Sequence, residues 1–167
     1  QRTLKVTPLS LQQYLAREET LRGLDPQLAR VISGISEACK TISSLVRQGA
    51  LAGVLGLAGS ENVQGEEQKK LDIISNDIFV EALVQTGAVC GMVSEEVDHV
   101  ISVPETEALG PYLVAFDPLD GSSNIDINVS IGSIFGILPA DRPKRVAVEA
   151  DFFKPGRNLK AAGYCMY

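Results

Sequence analysis

Histidine and cysteine are scarce in this chain: 167 residues carry one histidine, His99, and three cysteines, Cys39, Cys90 and Cys165. The cysteines lie far apart, show no CxxC spacing and sit among apolar or small neighbours, so they read as reduced core thiols in a reducing compartment. His99 follows an acidic turn and reads as exposed. Long apolar runs are missing too, and none approaches the roughly 18 residues of a membrane span. No GxxxxGK[ST] phosphate loop, internal repeat or low-complexity tract occurs. Positive charge is in deficit, with 15 Lys and Arg against 21 Asp and Glu and a formal net charge of -6. The basic residues are scattered apart from short pairs such as Lys69 and Lys70, which argues against a nucleic-acid face and for a small-molecule partner. No signal peptide is legible, and a chain that opens on Gln1 leaves a removed leader open.

What is present suffices for one globular domain: 45% hydrophobic residues, 22% charged, and no long charge block. Ser10 can cap a short helix through about Thr20. Asp25 as N-cap and Pro26 in the first turn open a stronger helix, with Leu28, Ile32, Ile35, Cys39, Ile42 and Val46 at helical spacing and Gly49 as its stop. Ala50 to Gln68, carrying Gly53, Gly56, Gly59 and Gly65, reads as a long connection with a functional role. A third helix is expected near Leu71 to Gln85. Strands are expected at Ala88–Val93, Val97–Val103, Tyr112–Phe116 and Ile125–Leu138, the last from the alternation of Ile125, Ile127, Val129 and Ile131. Leu159 to Tyr167 reads as another strand that the chain leaves without a turn or polar tail. A bare sheet edge there is an aggregation hazard, so the natural chain is expected to continue.

Two of these apolar strands end in acids. "GMVSEEVD" delivers Glu95 and Glu96, and "YLVAFDPLDG" delivers Asp117 and Asp120. If the strands are neighbours, four carboxylates converge; at ~4 Å two like charges repel by several kcal/mol at an effective dielectric of about 20, so the cluster must protonate or bind cations. Hard divalent metals suit an all-oxygen site, and Mg²⁺ is the natural choice. Pro118 is expected to fix a turn between the aspartates, with Gly121 turning the amides of Ser122 and Ser123 toward a bound anion. Metal and phosphate held together fit metal-assisted phosphoryl hydrolysis. Each piece alone has a plainer meaning: Pro-Leu-Asp-Gly is an ordinary turn sequence, Asp72 is favourable charge in a helix's first turn, and Glu66, Glu67, Lys69 and Lys70 form a solvated charge run. The two acid-tipped strands together favour the site.

"DPLDGSSNID" preceded by "VSEE" closely resembles the fructose-1,6-bisphosphatase family, within the wider group of Mg²⁺-dependent, lithium-sensitive sugar and inositol phosphatases. "NVQGEEQKKLDIISND", "SIGSIFGI" and "PGRNLKAAGY" strengthen the match, which spans about Leu11 to Tyr167. The resemblance implies an α+β class: residues 1–167 as the N-terminal domain, helices packed on a largely antiparallel sheet, of a layered α/β/α/β/α fold whose C-terminal α/β domain lies beyond Tyr167. It implies hydrolysis of the 1-phosphate of fructose 1,6-bisphosphate in gluconeogenesis, sucrose synthesis or the Calvin cycle, in the cytoplasm or chloroplast stroma. Two or more Mg²⁺ per site are implied, with Mn²⁺ as a substitute, in a homotetramer or homodimer without nucleic-acid or membrane partners. Carried over by position, Glu95, Asp117, Asp120 and the carbonyl of Leu119 are metal ligands. Asp120, Gly121, Ser122, Ser123 and Asn124 surround the phosphate, and Asp72 and Glu96 help activate the attacking water. Glu66, a further metal and catalytic candidate, stands where the family usually has an aspartate on a mobile loop. Sedoheptulose-1,7-bisphosphatase shares the same machinery, and a noncatalytic sugar-phosphate-binding paralogue would be marked by a lost metal acid. AMP-inhibited members carry a Gly-Thr-Gly-Glu-like stretch between their first helices; here that region reads "TLRGLDPQL", Thr20 to Leu28, and a basic-aromatic pair expected later reads Pro111 and Tyr112.

Overall fold

The computed structural model describes residues 8–52, 61–122 and 130–167, by backbone alone over 49–52 and 61–68. Three helices precede a five-stranded sheet. Helix α1 (Leu11–Arg22) opens on a capping box, in which the Ser10 hydroxyl accepts from the Gln13 amide at 3.2 Å and the Gln13 side chain accepts from the Ser10 amide at 2.9 Å. Gly23, at φ 68°, ends it in the left-handed conformation. Helix α2 (Pro26–Ala52) opens as expected, with Asp25 Oδ1 accepting from the Gln27 amide at 2.9 Å.

Its end differs from the sequence expectation. Gly49 does not stop α2, because the helix formers Ala50, Leu51 and Ala52 follow it and one interior glycine costs only about 1 kcal/mol. Helix α3 (Glu61–Gln85) begins ten residues before the expected Leu71. Gln64, Glu66, Glu67, Gln68, Lys69 and Lys70 favour the helix, and Glu66 and Lys70 stand at the supportive i,i+4 spacing. The expected 50–68 connection is therefore helical at both ends, and its middle, 53–60, lies outside the described residues. Glu66 is on a helix, not on a loop.

The strands are β1 (Val89–Ser94), β2 (Val97–Ile101), β3 (Tyr112–Asp120), β4 (Gly132–Pro139) and β5 (Ala161–Met166), ordered β2-β1-β3-β4-β5. All neighbours are antiparallel except β1 and β3, which run parallel. Strand β3 does not stop at Phe116; it continues through Pro118 to Asp120, where a turn had been expected. Proline lacks the ladder donor, and a bulge between Asp117 and Asp120 accommodates it. The turn comes at Gly121, with φ 79°. The expected strand at Ile125–Leu138 begins only at Gly132, and Ile125, Ile127 and Val129 lie outside the described residues.

Helices α2 and α3 cover one face of the sheet with a core that includes Val31, Ile35, Ile42, Phe79, Leu83, Val114, Phe116 and Ile137. A smaller cluster of Cys90, Leu113, Leu138 and Ala147 fills part of the other face. Toward β5 that second face stays open, leaving Ile134, Tyr164 and Met166 exposed. The architecture is α+β.

Candidate active site

The single parallel pairing decides where the acids meet. Antiparallel neighbours would carry Glu95 and Asp117 to opposite ends of the sheet, whereas β1 and β3 pair in parallel up to Ser94 opposite Phe116, so Glu95 and Asp117 follow that last pair at the same end. The Glu95 amide donates to the Phe116 carbonyl at 3.0 Å, so the register holds to the last residue before the acids. Carboxylate oxygens of Glu95, Glu96 and Asp117 lie within 4.8 Å of one another.

The bulge in β3 brings in the second aspartate. Residues three apart on a regular strand point to opposite faces. Here Asp117 pairs with Ile134 and Asp120 with Gly132, so β3 spends one more residue than β4 over the same span. Side-chain parity flips as a result: Val114 and Phe116 enter the helix-covered core, and so does Leu119 rather than Pro118's successor in the regular count, Asp120. Asp117 and Asp120 therefore share a face. Leu119, with its side chain buried in the core, offers the site only its backbone, and its amide donates to Asp117 Oδ1 at 3.0 Å.

Asp72 arrives from α3. Phe79, two turns further along the same side of the helix, stacks on Phe116 with ring centroids 4.8 Å apart and planes 15° from parallel, which fixes α3 against the end of β3. Ser122 stands near the Asp72 carboxylate, whose Oδ1 is buried without a hydrogen-bond partner among the described residues. On the same helix Ser75 Oγ and Asn76 Oδ1 are likewise buried and unpartnered. The Glu96 amide donates to Ser94 Oγ at 3.3 Å, holding the β1–β2 turn.

Electrostatics follows from this crowding. Burial first, then repulsion by Asp72, Glu95 and Asp117, pushes the Glu96 carboxyl up to about 7. Burial, then the charge of Glu95, raises Asp72 against the lowering influence of the nearby Ser122. Asp117 is raised by burial and by Glu95, Asp120 and Asp72, which outweigh the Leu119 amide. None of the ion pairs among the described residues reaches these acids. An all-oxygen cluster with an orphaned buried oxygen and no protein cation fits hard divalent cations, with Glu95, Glu96, Asp117 and Asp120 as the available donors.

The chain has a known relative in this arrangement. Residues 10–167 match the family description "Fructose-1-6-bisphosphatase, N-terminal domain". The chain belongs to the fructose-1,6-bisphosphatase family. Two solved structures of Leishmania major fructose-1,6-bisphosphatase are similar to it. The holo form matches at 32% identity and TM-score 0.77 over 96% of this chain and 49% of that one. The apo form matches at 31% identity and TM-score 0.74 over 96% and 47%. The chain thus spans about half the length of the structures it matches.

Within this bisphosphatase-family domain, Glu95, Glu96 and Asp117 come within reach of one another, Asp72 and Asp120 lie near enough for their charges to act on that cluster, and Gly121 and Ser122 follow Asp120 at the turn. Ser123, Asn124 and the Glu66 side chain lie outside the described residues. Sequence reasoning missed Tyr164, whose phenol is pushed up by burial and by the nearby charges of Asp120 and Asp117. It stands across from Ile134, itself across from Asp117, in a groove of about 860 Å³ on the open sheet face. Only the order of strands reveals that row. His99 is exposed on β2, as expected, and takes no part.

Proposed function

We propose that the complete protein hydrolyses the 1-phosphate of fructose 1,6-bisphosphate, using Mg²⁺ held by Glu95, Asp117, Asp120 and the Leu119 carbonyl, with Glu66 and Mn²⁺ as further candidates for ligand and ion. The observation that carries this reading is the cluster of Glu95, Glu96 and Asp117 where the β1–β3 pairing ends, with Asp72 and Asp120 near enough to act on its charge, in a chain of this family.

In the reaction a water oxygen bonds phosphorus while the bond to the C1 oxygen of the sugar breaks. The departing oxygen takes a proton, and phosphate and fructose 6-phosphate result. Bound Mg²⁺ supplies positive charge for the phosphate oxygens and the leaving oxygen. Asp72 and Glu96 lie close enough to repel each other, a placement that suits a pair taking the proton of the attacking water. Glu96 near 7 describes the cation-free site. Positive charge beside Glu95 and Asp117 cancels the repulsion and returns Glu96 to the carboxylate that a base must be. Gly121 and Ser122, at the turn after Asp120, stand where backbone amides can meet the phosphate, and Ser123 and Asn124 follow them in sequence.

Sedoheptulose 1,7-bisphosphate remains the competing substrate, because these residues address metal and phosphate rather than the sugar. A noncatalytic binding role is disfavoured by the acid set, intact apart from the conservative change at Glu66. Steady-state assay of the complete protein on both bisphosphates, with and without Mg²⁺, tests the reading: Mg²⁺-dependent phosphate release from fructose 1,6-bisphosphate is expected, and release from neither sugar would reject it. The same protein is proposed to be a homotetramer or homodimer, which light scattering in solution will decide.

A further inference from the structure

Behind the acids, on the helix-covered face of the sheet, the β3 bulge rests on a buried side chain that the reaction does not touch. Ser133 lies on β4 between Gly132, partner of Asp120, and Ile134, partner of Asp117, opposite the extra residue of the bulge. It is fully buried, at 0% exposure. Its hydroxyl donates to the Pro118 carbonyl at 2.7 Å. That carbonyl sits in the irregular stretch of the β3–β4 ladder, where a buried acceptor without a partner would be costly.

The direction of the network can be worked out from its end. A carbonyl cannot donate, so the one proton of Ser133 is committed to Pro118. Ser133 Oγ also bonds the Tyr167 hydroxyl, which must therefore be the donor. Tyr167 is held in turn, its amide donating to the Ile131 carbonyl at 2.9 Å and its ring packed against the core beneath α2. Two hydroxyls in series thus tie β4, and the residue that follows β5, to Pro118, one of the two residues between Asp117 and Asp120. On the far side of Pro118, the Leu119 amide bonds Asp117 Oδ1 at 3.0 Å.

We propose that Ser133, backed by Tyr167, is a positioning residue for the divalent-cation site: it fixes the Pro118 carbonyl and so sets the bulge that turns Asp117 and Asp120 to one face. This rests on the metal assignment made above. Without the bond, the bulge loses the contact that defines its register, and Asp117, the Leu119 carbonyl and Asp120 no longer approach one cation in a single arrangement. Outer partners of metal ligands characteristically shift metal affinity about 10–100-fold when removed.

The test uses Mn²⁺ as the probe, with electron paramagnetic resonance on the substrate-free complete protein and Mg²⁺ activation curves beside it. Ser133→Ala is expected to weaken Mn²⁺ binding about tenfold and to raise the Mg²⁺ concentration for half activation similarly, with kcat recovering at saturating Mg²⁺. Ser133→Thr, which keeps the hydroxyl, is expected to restore both. Tyr167→Phe keeps the ring and serves if Ser133→Ala does not fold; a smaller loss of Mn²⁺ affinity in the same direction is expected. A folded Ser133→Ala, or failing that a folded Tyr167→Phe, with unchanged Mn²⁺ affinity overturns the proposal. If Mn²⁺ binding falls as expected but neither sugar bisphosphate is hydrolysed, the positioning role stands and the substrate assignment fails. If the unsubstituted protein binds no Mn²⁺, both fail.

Discussion

Asp120 lies at the point where the proposed metal and phosphate roles overlap, which makes it the sharpest single test. Replacing it with asparagine keeps size and shape but removes the charge that a hard cation requires. In the complete protein Asp120→Asn is expected to fold normally, by circular dichroism and melting temperature, and to lower the proposed turnover roughly 10²-fold or more. Near-normal turnover at saturating Mg²⁺ would remove Asp120 from the site. Glu96 gives a second test, through pH. Its folded carboxyl stands near 7 against an ordinary 4.5. Between those values the folded state binds more protons than the unfolded one, so without cations stability rises as pH falls from about 7 to about 4.5 and is lowest above 7. The raised carboxyls of Asp72 and Asp117 act in the same direction. Urea midpoints measured in EDTA from pH 5 to 8 should show this slope. It should shrink in Glu96→Gln, and Mg²⁺ should raise the midpoints most at pH 8. A midpoint in EDTA that rises with pH across this range, unaffected by Glu96→Gln, would contradict the arrangement. These acids were legible because carboxylates at the ends of two apolar strands demand an explanation. Tyr164 and Ser133 were not, since a tyrosine and a serine in strands have many ordinary uses until the strand order places them.

At the scale of elements, the helix starts were readable from side chains that act within one turn: Ser10 with Gln13, and Asp25 with Pro26. The ends of helices and strands were harder because they depend on competition. Gly49 and Gly65 each carry a small local penalty that the neighbouring helix formers outweigh, and Pro118 looked like a turn because a bulge leaves no mark in one strand alone. The start of α2 also holds a pairing across 87 residues of sequence: the Tyr112 hydroxyl donates to Asp25 Oδ2, while Asp25 Oδ1 caps the Gln27 amide. Burial and the Asp25 charge both raise the Tyr112 phenol. A carboxylate of the chain itself thus occupies the positive end of α2 and engages the tyrosine, leaving a phosphate to meet negative charge instead of free amides. The complete enzyme is therefore expected to show no inhibition by micromolar AMP. A dose-response curve with half inhibition in that range would show that Asp25 does not block the nucleotide. Asp25→Ala should cost about 1 kcal/mol of stability through the lost cap alone, readable as a lowered urea midpoint.

Across the whole molecule, the helices finish one face of the sheet and leave the other partly bare. Ile134, Tyr164 and Met166 stand exposed there, Met166 at 68%, beside a groove that reaches Glu95 and Asp117. Among the described residues, the groove is lined by two acids and Tyr164 and by no lysine or arginine to receive a second phosphate. The described half of the site thus addresses metal and one phosphate and leaves the sugar unread, which explains why substrate choice was not legible in these residues. Among the described residues β5 pairs only with β4, so its other edge has no strand partner among them. Residues 1–167 produced alone should therefore associate or bind a hydrophobic dye and release little phosphate from fructose 1,6-bisphosphate, whereas the complete protein should turn over steadily at the same Mg²⁺ concentration. Light scattering, dye fluorescence and a phosphate-release assay on both proteins provide the comparison. Sustained turnover by the 167-residue piece would mean that the acids at the ends of β1 and β3 suffice for the chemistry, and that the sugar and second phosphate need no further contacts.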